Sequence, residues 1–203
     1  MLDDFRYNDE DHTYWFGQGQ VTGATHAINA AGYGDLILGR AHAKNFTYAG
    51  VRGKATHSMC HLDDMGVADR YDMDENLMGY LRAWRKFKQD YQFIPDPDCA
   101  EVPLGHRACR FGVTPDSAGN SILGFIAVER KSRAILRKDY LQVEAQKMAI
   151  KDVLGKPIVG GRVVELRPNG EYHAPDPIMK PARARALFLS AVDIANDIIA
   201  NGK

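Results

Sequence analysis

The stretch 122–131, Ile-Leu-Gly-Phe-Ile-Ala-Val-Glu-Arg-Lys, constrains the fold more tightly than any other part of the chain. Ile122, Leu123, Phe125, Ile126, Ala127 and Val128 form an almost unbroken apolar run, the pattern of a strand covered on both faces. The run ends directly in Glu129, Arg130 and Lys131. Side chains two apart on a strand point to one side, so Glu129 and Lys131 project together from its buried end. Two readings account for them: a strand end that reaches water and forms a surface ion pair, or a catalytic pair in a cleft.

The flanking pattern supplies cover for such a strand. Segments 99–105, 108–114 and 121–129 read as strands, the last two joined by an Asp-Ser-Ala-Gly-Asn turn suited to a hairpin. A helix over 138–154 buries Leu141, Ala145 and Met148 and stops at Gly155-Lys156-Pro157. A strand, a Pro-Asn-Gly turn and a short return strand follow, then an amphipathic helix over 180–201 through Leu187, Ile194 and Ile198. The order predicts an α/β fold, a central mixed sheet flanked by helices.

The first half reads as an elaboration on that core. Residues 12–20 alternate and turn on glycine, predicting a strand or hairpin. A short helix follows, with Thr22 or Thr25 as N-cap and Gly32 or Gly34 as its stop. A helix over 54–66, closed by Gly66, sets His57 and His61 on one face. A longer one over 74–92 carries an apolar stripe of Leu77, Leu81, Trp84 and Tyr91, flanked by Tyr80 and Phe87, and ends at Pro-Asp-Pro-Asp.

With 203 residues and zero formal net charge, the chain has material for one core and no uniformly basic coat. An acidic N-terminus and the lack of a long apolar run predict a soluble, cytoplasmic protein without a membrane partner. Cys60, Cys99 and Cys109 are odd in number and share no C-x-x-C spacing, so they predict reduced thiols and no iron–sulfur cluster. Neither a G-x-G-x-x-G fingerprint nor a complete P-loop is present, which argues against nucleotide binding.

Asp116 stands just before the predicted turn and Glu129 on the strand beyond it, so the hairpin brings them together. Two carboxylates at close quarters repel unless a cation lies between them, and hard oxygen ligands suit Mg2+ or Mn2+. At these residues the chain resembles the PD-(D/E)xK nucleases, through Pro115-Asp116 and Glu129-Arg130-Lys131. It is most similar to the RecB-type, phage-encoded exonuclease branch. Gly53 and His57 match a G-x-x-x-H helix, Glu101 a glutamate on the first core strand, and Gln142 the Gln of a Q-x-x-x-Y motif whose Tyr position holds Gln146. Near the N-terminus Thr25 matches, while Thr22-Gly23 replaces the family's Pro-Ser.

The resemblance implies a restriction-endonuclease-like core in a single nuclease domain over 1–203. The N-terminal hairpin and helices would take 12–94, the catalytic core 99–175 and the C-terminal helix 179–201. It implies two divalent ions, Mg2+ or Mn2+, with Asp116, Glu129, the Arg130 carbonyl and His57 as ligands and Glu101 as ligand neighbour or plain surface residue. Lys131 would orient the attacking water or stabilise developing negative charge, and Gln142 would face the cleft. His61 is a rival to His57. Arg130, Lys131, Arg133, Arg137 and Lys138 form a basic segment that would contact DNA phosphates, or else a solvated loop. The implied partner is DNA, with a homo-oligomer and a single-strand annealing or recombination protein as further partners of this class. The implied site is the host cytoplasm if the gene is a phage's. A non-catalytic nucleic-acid-binding or assembly protein on the same fold, and a structure-specific endonuclease, are the alternatives.

Overall fold

The computed structural model describes residues 4–33 and 43–202. Among the described residues ten strands form two five-stranded sheets, where the sequence pattern predicts one. The first runs in the order β1 (Phe5–Asn8), β2 (Thr13–Phe16), β3 (Gly19–Gly23), β6 (Phe111–Val113), β5 (Leu104–His106). Its three opening strands form an antiparallel meander, and β3 pairs parallel to β6. A Cβ at Gly112 would overlap the Tyr14 ring, so glycine there lets the β2 aromatic lie flat across β6. The predicted strands 99–105 and 108–114 shorten to β5 and β6, and Pro97–Cys99 coil into a 3-10 turn before them.

The second sheet runs β10 (Tyr172–His173), β9 (Gly160–Leu166), β8 (Gly124–Lys131), β7 (Ser117–Ser121), β4 (Ile94–Pro95). The Asp-Ser-Ala-Gly-Asn segment is strand and not turn: Ser117–Ser121 pairs antiparallel with β8. The reversal instead takes Ile122 and Leu123, both exposed, closed by Gly124 at φ +93° and by Ser121 Oγ, which donates to the Gly124 carbonyl at 2.8 Å. A side chain at φ > 0 is strained, so the glycine fixes where the hairpin bends. These two residues therefore leave the buried run, which begins at Phe125.

β8 and β9 are parallel and joined through helix α4 (Asp139–Leu154), as the strand–helix–strand order requires. Gly155 caps α4 in the left-handed region at φ 64°. Phe125 and Ala127 face α4 and join Leu141, Ala145 and Met148 in one core. Ile126 and Val128 face the other way, onto Trp84, Phe87 and Leu81 of α3 (Met78–Asp90). The two-sided burial predicted for β8 is thus a helix layer on each face.

α1 (Ala24–Ile28) opens after Gly23, so neither Thr22 nor Thr25 is its N-cap; Thr22 Oγ1 bonds the Gly23 carbonyl instead. Gly32, at φ 82°, interrupts the turn that follows, and Gly34 lies outside the described residues. α2 (Ala43–Asp64) begins well before the predicted residue 54. α5 (Pro181–Asn201) buries Ala184, Phe188, Ala191, Val192 and Ala195 against α1 and α4, a stripe of three alanines about Phe188 and Val192, beside the expected Leu187, Ile194 and Ile198. Among the described residues no helix is long and apolar enough to cross a membrane.

Candidate active site

The antiparallel register of β7 with β8 sets Ser117 against Val128, and one step further along that register Asp116 meets Glu129. Asp116 lies in the three-residue passage, Thr114 to Asp116, by which the chain leaves the first sheet and enters the second. Its Oδ2 accepts a hydrogen bond from the Arg130 backbone N–H at 2.7 Å. The carboxylate therefore stands where a ladder partner would otherwise be, and the hairpin's end opens around it.

Alternation along β8 then divides the Glu-Arg-Lys triplet. Glu129 and Lys131 continue the face of Phe125 and Ala127, toward α4; Lys131 Nζ and Gln146 Nε2 both bond the Glu129 carboxylate. Arg130 points to the opposite layer. Its fully buried guanidinium donates to Asp64 Oδ2 at 2.9 Å, to Glu101 Oε1 at 3.1 Å and to the Asp116 carbonyl at 2.6 Å, and lies over the Trp84 ring at 5.1 Å. Asp64 is seven residues after His57 on α2, two turns along the same face. The Arg130–Asp64 pair thus seats the helix that carries the histidine.

His57 Nε2 is 2.9 Å from the Arg130 carbonyl. A carbonyl can only accept, so Nε2 carries the proton and Nδ1 turns to the carboxylates, 3.4 Å from Asp116 Oδ1 and 4.0 Å from Glu101 Oε1. Ligand atoms of His57, Glu101 and Asp116 lie within 4.8 Å of one another, a group able to hold a metal ion. The Arg130 carbonyl accepts from His57, and Glu129 is engaged by Lys131 and Gln146, so these two sit beside that group.

The electrostatics separate the carboxylates. Burial opposes ionisation of Asp116, but His57, Lys131 and Arg130 outweigh it and hold the group well below the usual carboxylate range. Burial pushes Glu129 up, the Asp116 charge adds to this, and Lys131 offsets only part, leaving a pKa of about 7. Glu101 is raised by burial and then by Asp116. Burial disfavours the cations of His57 and Lys131, yet Asp116 for the one and Glu129 for the other raise both. Glu129 and Glu101 are thus raised first by burial and then by the Asp116 charge, and a cation bound among the three would favour their ionised forms, so the donor set fits a divalent ion.

The remaining expected residues lie further out. His61 is one turn beyond His57; burial and then the Arg130 charge lower its pKa, and it does not join the donor group. Gln142 Nε2 donates to Thr25 Oγ1 at 3.1 Å, tying α4 to α1; Gln146, one turn on, is the glutamine that touches Glu129. The basic segment is not a uniform phosphate-facing surface. Arg130 is buried, Lys131 is paired with Glu129, and Arg133 is held by both oxygens of buried Asp139 at 2.9 and 2.8 Å. Arg137 is exposed and Lys138 half-buried.

Sequence reasoning missed the inward role of Arg130 and its partner Asp64; the seven-residue spacing from His57 was the available signal. Compared with known proteins, the chain matches no family model and no curated protein.

Proposed function

We propose that the chain is a metal-dependent deoxyribonuclease of the PD-(D/E)xK kind that acts as an exonuclease on DNA. The observation that supports this reading is the meeting of Asp116, Glu129, Lys131 and His57 at one end of the β7–β8 hairpin, with Glu101 beside them. His57, Glu101 and Asp116 would hold a divalent ion, and Glu129 and the Arg130 carbonyl stand ready at its flank. Imidazole in the set favours Mn2+ over Mg2+. When bound, such ions supply positive charge to the scissile phosphate and lower the pKa of water.

The protein's own groups supply the rest. Asp116 stays ionised and keeps His57 oriented, its Nε2–H on the Arg130 carbonyl. Lys131 stays protonated beside Glu129, so it acts as a donor: it orients a water through that water's lone pair or stabilises charge growing on a phosphate oxygen. Arg137, exposed on the segment after β8, would meet the phosphate backbone without reading bases. A part in phage-type recombination or DNA processing follows from the family resemblance.

The test offers end-labelled linear and closed circular DNA, single- and double-stranded, with Mn2+, Mg2+ or EDTA. Shortening of linear DNA from an end, survival of circles and silence in EDTA are the expected results. Nicking of circles would make the protein an endonuclease, and binding without cleavage in any metal would make it a non-catalytic nucleic-acid-binding protein.

A further inference from the structure

A cleft of about 890 Å3 opens beside the candidate site, and Glu101 lines both. Its walls come from the β1–β2 hairpin (Tyr7, His12), from β2 (Tyr14), from the start of α1 (Thr25) and from Thr114, two residues before Asp116. The volume is that of clefts which bury a drug-sized molecule, roughly 300–1,000 Å3. Whatever sits there is contiguous with the donor group.

The chemistry of the walls selects the occupant. Among the described residues the lining contains three carboxylates, Asp9, Asp11 and Glu101, and no lysine or arginine, a balance that disfavours a phosphate there. Tyr7 and Tyr14 stand with ring centroids 5.0 Å apart at 37°, and Tyr7 Oη is fixed on His12 Nδ1 at 2.6 Å, which leaves a rigid aromatic wall. Tyr14 Oη is likewise tied to Thr114 Oγ1 at 3.1 Å. The half-buried Tyr7 ring, backed by Tyr14, carboxylates that accept from exocyclic amines, and hydroxyl and amide groups such as Thr25 and Asn29 are what an uncharged heterocycle with a sugar needs.

We propose that this cleft is a nucleobase subsite: it takes the terminal base of the strand whose phosphodiester lies at Asp116 and Glu129. The proposal rests on the nuclease reading for its substrate and names the class, a DNA strand whose end base is unpaired. A base inside a duplex cannot reach a walled cleft without leaving the stack, which costs a few kcal/mol. Single-stranded and frayed ends are therefore favoured over blunt duplex ends.

The test has two arms. In the first, deoxyadenosine is titrated by ligand-observed NMR into the metal-free full chain in EDTA. Binding to the wild type and to Tyr7→Phe, weakened about tenfold in Tyr7→Ala as for the loss of one base–aromatic stack, supports the subsite. Equal binding by all three proteins, or none by the wild type, overturns it. In the second arm, KM is measured with Mn2+ on linear single strands ending in a normal or an abasic nucleotide. The wild type should show the higher KM on the abasic end, and Tyr7→Ala should lose the difference; equal KM values in the wild type overturn the proposal. Deoxyadenosine binding that depends on Tyr7, without DNA cleavage in any metal, would sink the nuclease reading and support the subsite on its own.

Discussion

The Arg130 guanidinium and the Asp64 carboxylate, from different elements and both nearly sealed from water, form an ion pair at 2.9 Å directly beneath the candidate site. Asp64 also accepts from Trp84 Nε1 at 2.7 Å and from Ser117 Oγ at 3.3 Å, so α2, α3, β7 and β8 meet on one carboxylate. Breaking a buried pair by removing one partner costs about 3–5 kcal/mol, and because Lys88 stays on Asp64 and Glu101 on Arg130, each at 3.1 Å, the lower end, about 3 kcal/mol, applies here. Asp64→Ala and Arg130→Met should each lower unfolding free energy by that order in urea titrations. A loss within about 0.5 kcal/mol, the range of an ordinary surface substitution, would show that the pair does not seat α2.

Metal ligands and bystanders separate by substitution. Asp116→Ala removes the carboxylate central to the donor group and should abolish both calorimetric Mn2+ binding and DNA cleavage. Lys131→Ala should leave metal affinity within about threefold and lower turnover by about 10²-fold or more, as loss of one charge-stabilising donor does. Wild-type metal affinity in Asp116→Ala would remove that residue from the site.

The raised pKa of Glu129 gives the metal-free protein a pH dependence of definite sign. Between the unfolded value, near 4.3, and about 7, the native state holds a proton on Glu129 that the unfolded chain has released, so stability falls as pH rises through this window. His57, whose pKa is raised, adds in the same direction, because its contribution is lost as pH climbs through the folded value. Glu129→Gln should flatten the decline and be more stable than wild type at pH 7.5 by on the order of 2 kcal/mol in EDTA. Parallel profiles for the two proteins in thermal melts at several pH values would contradict the assignment.

Thiol reactivity reports on the core. Burial pushes Cys60 up to about 12 and Cys99 up to about 11, and both are fully enclosed, while Cys109 is half-buried. Reaction follows the thiolate and its access. A disulfide reagent at pH 8 should therefore titrate one thiol quickly in the native protein and three after denaturation; rapid labelling of all three in the native state would show that the layers about β8 are loosely packed.

Much of this architecture was legible in the residues. The apolar run before Glu129 disclosed a strand covered twice, the period of α4 and its Gly155 stop gave the crossover helix, and alternation placed Glu129 and Lys131 together. Local pattern failed where tertiary partners decided. Asp-Ser-Ala-Gly-Asn has turn composition, yet Ser117–Ser121 pairs with β8 on one side and with β4 on the other, where a Cβ at Gly119 would strike the Ile94 carbonyl. Arg130 resembled a solvent-facing base because sequence does not reveal that Asp64 and Trp84, on separate helices, wait for it inside. The division into two sheets was hidden for the same reason: β3 and β6 pair across nearly ninety residues, and no local signal spans that distance.

β8 sends odd positions to α4 and even positions to α2 and α3, and both faces are occupied to the last residue. The strand is therefore an address line read in two directions. A single residue deleted between 124 and 128 would exchange the faces at once, thrusting the Arg130 guanidinium toward Gln146 and α4 and driving Glu129 and Lys131 against Trp84. Such a shift finds no partial accommodation on either side. The same tightness that assembles the candidate site guards its register during folding, and along this strand length is a stricter requirement than the identity of any one apolar side chain.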